Sequence, residues 1–385
     1  MKNSDHPDKS RRKFIYDIGL TTLSIPAMSL LSKYNPSTEA YSIERIKKEK
    51  AAGKLGVALV GLGNYAGGQL APALQKTENC YLAGIVTGHP DKAEKWKAQY
   101  NIPEANIYDY SSYDKIKSNP DIDIVYVVLP NSMHKEYVIR AAAAGKHVIS
   151  EKPLAINVSD CNEMIAAMKK SGKMFSVGYR LHFEPYNLEM ARLGQQKVYG
   201  NLKKVTAGFG FHIGDPTQWR LKKDLAGGGP LVDLGIYCIQ AFCYITGEEP
   251  ISVTAQEGPK TDMERFKEVE QSVAWQFEFP SGCIAEGKCS YFDGMNMVRA
   301  EAEKGWFELT SAFNYNGQAG NTSDGGAMRF PSVNQQANQL EDFALAIKNK
   351  RPTPVPGEMG RRDVKLIRAI YEAMNSGKKV VIKKP

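Results

Sequence analysis

Three residues with side chains suited to proton transfer stand in two short motifs. Asp233 and Tyr237 are four residues apart in "GGGPLVDLGIY", so they fall on one face of a helix. A carboxylate beside a phenol can orient and exchange a substrate proton. Lys152 in "VISEKP" follows an apolar run, and an ammonium there can donate a hydrogen bond to a developing alkoxide. Taken alone, each motif also fits a surface lysine or an ordinary structural hydrogen bond.

A glycine-rich turn stands near the start of the alternating part of the chain. In "ALVGLGNYAGGQLAPAL", an apolar run of strand length meets a segment with helical spacing. Gly61, Gly63 and Ala66 follow the spacing G-x-G-x-x-A, in which missing side chains let a ligand approach the turn. The N–H groups at the helix start would then face a pyrophosphate. The motif predicts a dinucleotide site, although an ordinary strand-turn-helix has the same spacing.

The residues after the second apolar run favour one dinucleotide. NAD-binding folds usually place Asp or Glu there, to hold the ribose 2′-hydroxyl. In "GIVTGHPDK" the positions are occupied by Thr87 and Gly88, with Lys92 just beyond. A hydroxyl, a bare N–H group and an ammonium suit a 2′-phosphate, which a carboxylate would repel. We therefore expect NADP rather than NAD.

The order of apolar runs and helical segments predicts two domains. Residues 55–178 alternate strand and helix, which predicts an α/β Rossmann domain with a doubly wound parallel sheet. Residues 179–385 contain longer alternating runs and a "PSG" turn, which predict an α+β domain with an open, mainly antiparallel sheet. Within it, the Gly- and Asn-rich residues 316–335 are expected to form a long loop, and two helices are expected to complete the domain.

The N-terminus resembles an export signal. "SRRKFI" precedes the uncharged "IGLTTLSIPAMSLLS", which is too short for a membrane span. Paired arginines before such a segment are typical of the twin-arginine pathway, which carries folded proteins. We therefore predict a signal peptide over residues 1–40, with "TEA" at Ala40 as a candidate cleavage site, and a periplasmic location without a membrane span after export. Residues 41–54 are either a linker or an arm laid on a neighbouring subunit.

Charge and cysteine content exclude some functions. The formal net charge is +8, but residues 1–54 hold eleven Lys and Arg against six Asp and Glu. The remaining surplus is about three and forms no basic stripe, so no nucleic-acid partner is expected. The six cysteines lack C-x-x-C spacing or nearby histidines, so no metal site is expected. We expect buried cysteines, with a disulfide left open.

The motifs together resemble one enzyme family. The glycine turn, "LPNSMH", "EKP", "GYR", "WR" and "GGGPLVDLGIY" are similar to those of the Gfo/Idh/MocA oxidoreductases, over about residues 55–382. Many members have His at the position of Tyr237, whereas Tyr is typical of the glucose-fructose branch. The resemblance implies a catalytic group of Lys152, Asp233 and Tyr237. It also implies that these residues line the cofactor: Gly61, Leu62, Gly63, Asn64, Tyr65, Thr87, Gly88, Lys92, Leu129, Pro130, Asn131, His134, Glu151, Lys152, Arg180, Trp219 and Arg220.

The resemblance implies hydride transfer between C1 of an aldose and tightly bound NADP. A cofactor that stays bound would have to be recycled by a second sugar such as fructose. The identity of the sugar stays open, because "FHIGDPTQWRLKKD" and residues 316–335 match no known pocket residue by residue. A related alternative is a glycosidase that uses a bound nicotinamide cofactor to oxidise C3 of the sugar transiently and then breaks the glycosidic bond by elimination. A sugar- or cofactor-binding protein that has lost activity is a third hypothesis, which the complete set of Lys152, Asp233 and Tyr237 disfavours.

Self-association is the remaining expectation. In "SVAWQFEF", Val273, Trp275 and Phe277 alternate with Ala274, Gln276 and Glu278, which predicts a sheet with two distinct faces. One face would pack inside the domain and the outer one would need cover. The family resemblance implies that a second subunit covers it, so a homodimer or homotetramer is predicted.

Overall fold

The first sheet is built from buried parallel strands, as the apolar runs predict. The structure, a computed structural model, describes residues 36–383. The strand order is β3-β2-β1-β4-β5-β6, so the direction of winding reverses between β1 and β4. The strands are β1 (Leu55–Val60), β2 (Cys80–Val86), β3 (Ile107–Tyr108), β4 (Ile124–Val127), β5 (His147–Ser150) and β6 (Phe175–Val177). The α/β Rossmann prediction is confirmed.

The second sheet is larger and mainly antiparallel, also as predicted. Its strand order is β14-β13-β12-β11-β7-β10-β9-β8-β15, and only the β7–β10 pair is parallel in the described residues. The strands are β7 (Leu202–Gly210), β8 (Ser252–Glu257), β9 (Ser272–Glu278), β10 (Ile284–Ser290), β11 (Met295–Ala302), β12 (Gly305–Thr310), β13 (Ala319–Thr322), β14 (Ala327–Met328) and β15 (Val380–Val381). Val273, Trp275 and Phe277 are buried, whereas Ala274 is exposed.

Helices cover the first sheet on both faces and the second sheet on one face. They are α1 (Pro36–Ala51), α2 (Ala71–Leu74), α3 (Pro90–Tyr100), α4 (His134–Ala143), α5 (Val158–Ser171), α6 (Pro185–Gln195), α7 (Lys223–Ala226), α8 (Ile236–Thr246), α9 (Gln335–Lys348) and α10 (Gly357–Ser376). Two π-helical turns, Ala66–Leu70 and Leu231–Gly235, lead into α2 and α8. Helix α8 is almost entirely apolar because it lies in the core against the second sheet.

Two features of the C-terminal part differ from the prediction. Residues 316–335 are not one long loop, because β13 pairs with β12 and β14 pairs with β13. Helix α9 does not complete the second domain. Its Leu340 and Phe343 are buried with Val57 and Leu59 of β1, so the helix covers the first sheet.

The segment expected to be a linker or an arm is a helix on its own domain. Helix α1 buries Ile46, and the Arg45 guanidinium donates to the carbonyl oxygens of Leu82 at 3.0 Å and Asn101 at 3.2 Å. These contacts fix α1 beside β2, which corrects the expectation for residues 41–54. Ala40, the candidate cleavage position, lies within α1. The twin-arginine motif lies outside the described residues and stays a prediction.

Cysteines and apolar helices agree with a packed interior. All six cysteines are buried and free. In the described part of the chain, one helical stretch, Lys223–Thr246, is apolar and long enough to cross a membrane. This stretch runs from α7 to the end of α8, and because 83% of its most apolar 18 residues is buried inside the protein, it belongs to the core of the second domain.

Candidate active site

The three proton-transfer candidates meet where the first sheet faces the second. Lys152 is the second residue after β5, Asp233 lies in the π-helical turn, and Tyr237 is in the first turn of α8. The Lys152 ammonium donates to Asp233 Oδ1 at 2.9 Å and to the Asp233 carbonyl oxygen at 2.8 Å. It also lies 4.8 Å from the centre of the Tyr237 ring. The structure therefore brings together the three residues that the motifs singled out.

Asp233 is held by two further donors on its second oxygen. Arg220 Nε lies 3.1 Å from Oδ2, and the Tyr291 hydroxyl donates to the same oxygen at 2.9 Å. Burial raises the pKa of Asp233, but Lys152 and Arg220 outweigh it and hold that pKa well below its usual range. Burial likewise lowers the pKa of Lys152, and the Asp233 carboxylate reverses the shift to a net increase. The two groups thus form an ionised pair.

Tyr237 is half-buried between cations and aromatic rings. The Arg180 guanidinium lies 5.2 Å from the centre of the Tyr237 ring, in addition to the contact of this ring with Lys152. Phe209 of β7 packs edge-on against the ring at 5.3 Å, and Phe313 packs at 5.9 Å. These contacts fix the plane of the ring. The phenol is therefore oriented by groups from both domains.

The buried carboxylate of Glu270, which lies just before β9, holds the start of the segment that carries Asp233. Glu270 accepts hydrogen bonds from the N–H groups of Gly229 at 3.0 Å and Leu231 at 3.1 Å, and from the Tyr371 hydroxyl at 2.8 Å. It thereby satisfies N–H groups that a helix start leaves without partners. Desolvation raises the pKa of Glu270. The sequence analysis did not predict Glu270 as a site residue, because it lies 37 positions beyond Asp233 and no local pattern links the two.

The two glycines of the turn have different roles. Gly61 has φ +96°, and a Cβ there would lie 2.5 Å from the Val128 carbonyl oxygen. Its role is therefore backbone conformation and close packing of β1 on β4 rather than access for a ligand. A Cβ at Gly63 would meet nothing within 4 Å. The open space at Gly63 fits a dinucleotide phosphate at the turn.

The residues expected to select NADP lie beside this turn. Thr87 is buried, with its hydroxyl accepting from the His89 N–H at 3.2 Å, and Gly88 is exposed. The Lys92 ammonium donates to the carbonyl oxygen of Leu62 at 3.4 Å. The end of β2 and the glycine turn are thus neighbours. No carboxylate occupies positions 87–89, so the surroundings suit a 2′-phosphate.

Several other predicted cofactor residues use their side chains internally. His134 is fully buried, with Nε2 at 2.9 Å from the Leu129 carbonyl oxygen and Nδ1 at 3.0 Å from that of Pro153. Asn131 donates to the Ala226 carbonyl oxygen at 2.8 Å. These contacts hold together the segments that follow β4 and β5. For these two side chains the structure indicates a positioning role, and their contact with a cofactor stays a prediction.

The remaining predicted residues lie beside the Lys152–Asp233 pair or in the turns at the strand ends. Glu151 accepts from the Tyr126 hydroxyl at 2.7 Å, and burial raises its pKa. The Arg220 guanidinium stacks 4.7 Å from the Trp219 ring. Arg180 is buried, and Tyr65 follows the glycine turn. Asn64 and Pro130 belong to the two turns at the strand ends. Binding of a cofactor by this set stays a prediction.

Two tyrosines of the site were missed by the sequence analysis. Tyr291 follows β10 and donates a hydrogen bond to Asp233. Tyr315 follows β12, and the Arg180 guanidinium lies 4.4 Å from the centre of the Tyr315 ring. Neither lies in a recognisable motif, and each contact joins residues far apart in the chain. Among residues 36–383, no group of three or more His, Cys, Asp or Glu side chains could hold a metal ion.

Comparison with known proteins identifies the family. The model of an "Oxidoreductase family, NAD-binding Rossmann fold" matches residues 55–179. That of the "GFO/IDH/MocA C-terminal domain" matches residues 187–308. The chain therefore belongs to the Gfo/Idh/MocA oxidoreductase family.

Individual relatives differ in how much of the chain they match. The crystal structure of an aldose-aldose oxidoreductase from Caulobacter crescentus complexed with glycerol is 42% identical, with a TM-score of 0.83, and the match covers 86% of this chain and 100% of that one. A D-xylose 1-dehydrogenase [NADP(+)] from Haloarcula marismortui is 25% identical, over 82% of this chain and 90% of the relative. A trans-1,2-dihydrobenzene-1,2-diol dehydrogenase from Xenopus tropicalis is 35% identical, over 46% of this chain and about half (52%) of the relative.

Proposed function

We propose that the protein is an NADP-dependent sugar oxidoreductase that transfers a hydride between C1 of an aldose and a tightly bound cofactor. The observation that carries the proposal is the contact of Lys152 with Asp233 at 2.9 Å beside the Tyr237 ring. The names of two relatives, an aldose-aldose oxidoreductase and an NADP-dependent xylose dehydrogenase, support an aldose as substrate. Thr87, Gly88 and Lys92 support NADP.

The chain's own residues would move the proton and hold the oxygen. In the oxidation, Tyr237 would act in its phenolate form and become a phenol by taking the proton of the C1 hydroxyl, while Lys152 donates a hydrogen bond to the developing alkoxide. Asp233 keeps Lys152 charged and in place. A nicotinamide dinucleotide, when bound, would supply the acceptor for the hydride released from C1. The C1–H and O–H bonds break, a C1=O double bond forms, and an aldopyranose becomes a lactone.

Export and recycling belong to the same proposal. Free NADP is not expected outside the cytoplasm, so a periplasmic enzyme needs a cofactor that stays bound and is reoxidised in place. A second sugar would serve as the acceptor, and the name of the Caulobacter relative favours a second aldose over fructose.

We further propose a homodimer or homotetramer formed through the outer face of the second sheet, which exposes Thr254, Ala274 and Lys288.

The test begins with the purified protein. Denaturation should release NADP(H) at about one equivalent per chain, and glucose or xylose with a second sugar should give a lactone and an alditol without added cofactor. Absence of any nicotinamide dinucleotide, or turnover of a nitrophenyl glycoside without aldose oxidation, would contradict the proposal. Light scattering that gives the mass of one chain would contradict the oligomer alone.

A further inference from the structure

Tyr315 joins the two domains beside the glycine turn. Its ring stacks on the ring of Tyr65, with centroids 6.3 Å apart and planes 26° from parallel. Tyr65 directly follows the glycine turn of the first domain, whereas Tyr315 follows β12 of the second sheet. Tyr315 is nevertheless 42% exposed. The pair is therefore a contact between domains that has solvent on one side.

Arg180 holds the segment around Tyr315 through one ring contact and two hydrogen bonds. The guanidinium lies 4.4 Å from the ring centre of Tyr315 and 5.2 Å from that of Tyr237. It also donates to the carbonyl oxygens of Phe313 at 2.6 Å and Asn314 at 3.2 Å. Arg180 therefore links the clasp segment, residues 313–315, to the proton-transfer site.

Gln335 of α9 fastens the clasp segment from a second side. Its amide donates to the carbonyl oxygens of Asn314 at 3.0 Å and Tyr315 at 3.1 Å, and its own oxygen accepts from Arg180. Within the described residues, Arg180 Nε has no hydrogen-bond partner, although Arg180 is only 4% exposed. Buried donors usually have a partner, so this one is available to a ligand.

These contacts form a continuous path from the glycine turn to the phenol. Tyr65 touches Tyr315, Tyr315 touches Arg180, and Arg180 touches Tyr237. A dinucleotide held at Gly63 with its reacting end beside Tyr237 would lie along these side chains. We propose that Tyr315 and Tyr65 form a clasp that slows release of the nicotinamide dinucleotide. The inference rests on the proposed function and gives a structural reason for a cofactor that stays bound.

The rate of cofactor dissociation tests the clasp directly. The purified chain is loaded with NADPH, and loss of the bound fluorescence is followed after addition of excess NADP⁺. Tyr315→Ala and Tyr65→Ala should each speed dissociation by about two- to tenfold, the factor that one aromatic pair supplies. The double variant should be little faster than the faster single variant, because both changes remove one contact. Tyr315→Phe should keep the parental rate.

A matched control is available in the second domain. Tyr199 and Phe307 stack at 6.0 Å and 27°, nearly the geometry of the clasp. Tyr199→Ala should leave NADPH dissociation unchanged even if it lowers the melting temperature. An unchanged dissociation rate in Tyr315→Ala, with NADPH bound by the parent, would overturn the clasp alone. A parent that binds neither NADPH nor NADH would overturn both the clasp and the proposed function.

Discussion

The Lys152 ammonium donates two hydrogen bonds to Asp233, one to the carboxylate at 2.9 Å and one to the backbone carbonyl oxygen at 2.8 Å. The backbone contact depends on the fold of the π-helical turn and not on the Asp233 side chain. Removing the carboxylate charge should therefore leave Lys152 near its position while changing its electrostatic surroundings. Position and charge can be separated experimentally at this pair.

Asp233→Asn should shift the alkaline limb of the pH profile to lower pH. Burial lowers the pKa of Lys152, and the Asp233 charge raises it above its usual value. Without that charge the ammonium deprotonates at lower pH, so activity that needs it is lost sooner as pH rises. The measurement is kcat/KM for the aldose from pH 6 to 10. Tyr291→Phe, which removes a hydrogen bond to Asp233 but no charge, should shift the limb less. Identical limbs in parent and Asp233→Asn would contradict the role of the pair.

Tyr237→Phe should separate proton transfer from binding. The ring contacts with Phe209 and the Lys152 ammonium remain, so the melting temperature and NADPH affinity should stay near the parental values. Loss of the hydroxyl removes the proton acceptor, and kcat should fall by about 10²- to 10⁴-fold. Absorbance at 340 nm in a single turnover follows the change. A variant that reduces its bound cofactor at the parental rate would show that another group moves the proton.

The sequence predicted those site residues that lie in a local motif on a strand end or a helix. Lys152 follows an apolar strand, which predicts its place at the carboxyl edge of the first sheet, and the spacing of Asp233 and Tyr237 predicts that they share a helix face. That these two residues meet Lys152 was predicted from the family resemblance. Tyr291 and Glu270 reach the same segment from 58 and 37 positions along the chain. No local pattern encodes such contacts, because they depend on how the second sheet packs against α8.

Burial patterns likewise predicted elements but not their partners. The apolar face of α9 indicates that Leu340 and Phe343 are buried, yet nothing in the spacing says against which sheet. Helix α1 has few apolar residues, so its packing through Ile46 and Arg45 was not expected. The hairpin of β13 and β14 is short and rich in Gly and Asn, residues that are rare in strands.

Gly88→Asp should reverse the preference between NADP and NAD. Gly88 is exposed beside the glycine turn, and the new carboxylate would repel a 2′-phosphate while accepting from a ribose 2′-hydroxyl. A charge-assisted contact of this kind changes affinity by about ten- to a hundredfold. The measurement is the Kd of NADPH and of NADH for the cofactor-free protein.

A neutral variant controls for packing at Gly88. A Cβ there would lie 3.1 Å from the Tyr110 ring, so any side chain must displace that ring slightly. Gly88→Asn has nearly the same shape without charge and should lower NADPH affinity less than Gly88→Asp. Lys92→Ala should weaken NADPH more than NADH by a smaller factor, since solvent screens an exposed ammonium. A parent that binds NADH at least as tightly as NADPH would contradict the assignment.

His147→Asn should make the protein less sensitive to acid. His147 Nδ1 accepts a hydrogen bond from the Met174 N–H at 3.0 Å, so that nitrogen must carry no proton in the fold. Burial, aided by Lys173, lowers the pKa of His147 to about 4, whereas the unfolded chain has about 6.5. The unfolded state therefore binds more protons between these values, and stability falls as pH drops through that window. Asn can accept the same hydrogen bond without titrating. Urea unfolding at pH 7, 6, 5 and 4.5 should show a shallower decline for the variant, and equal slopes would exclude His147 as a source of acid sensitivity.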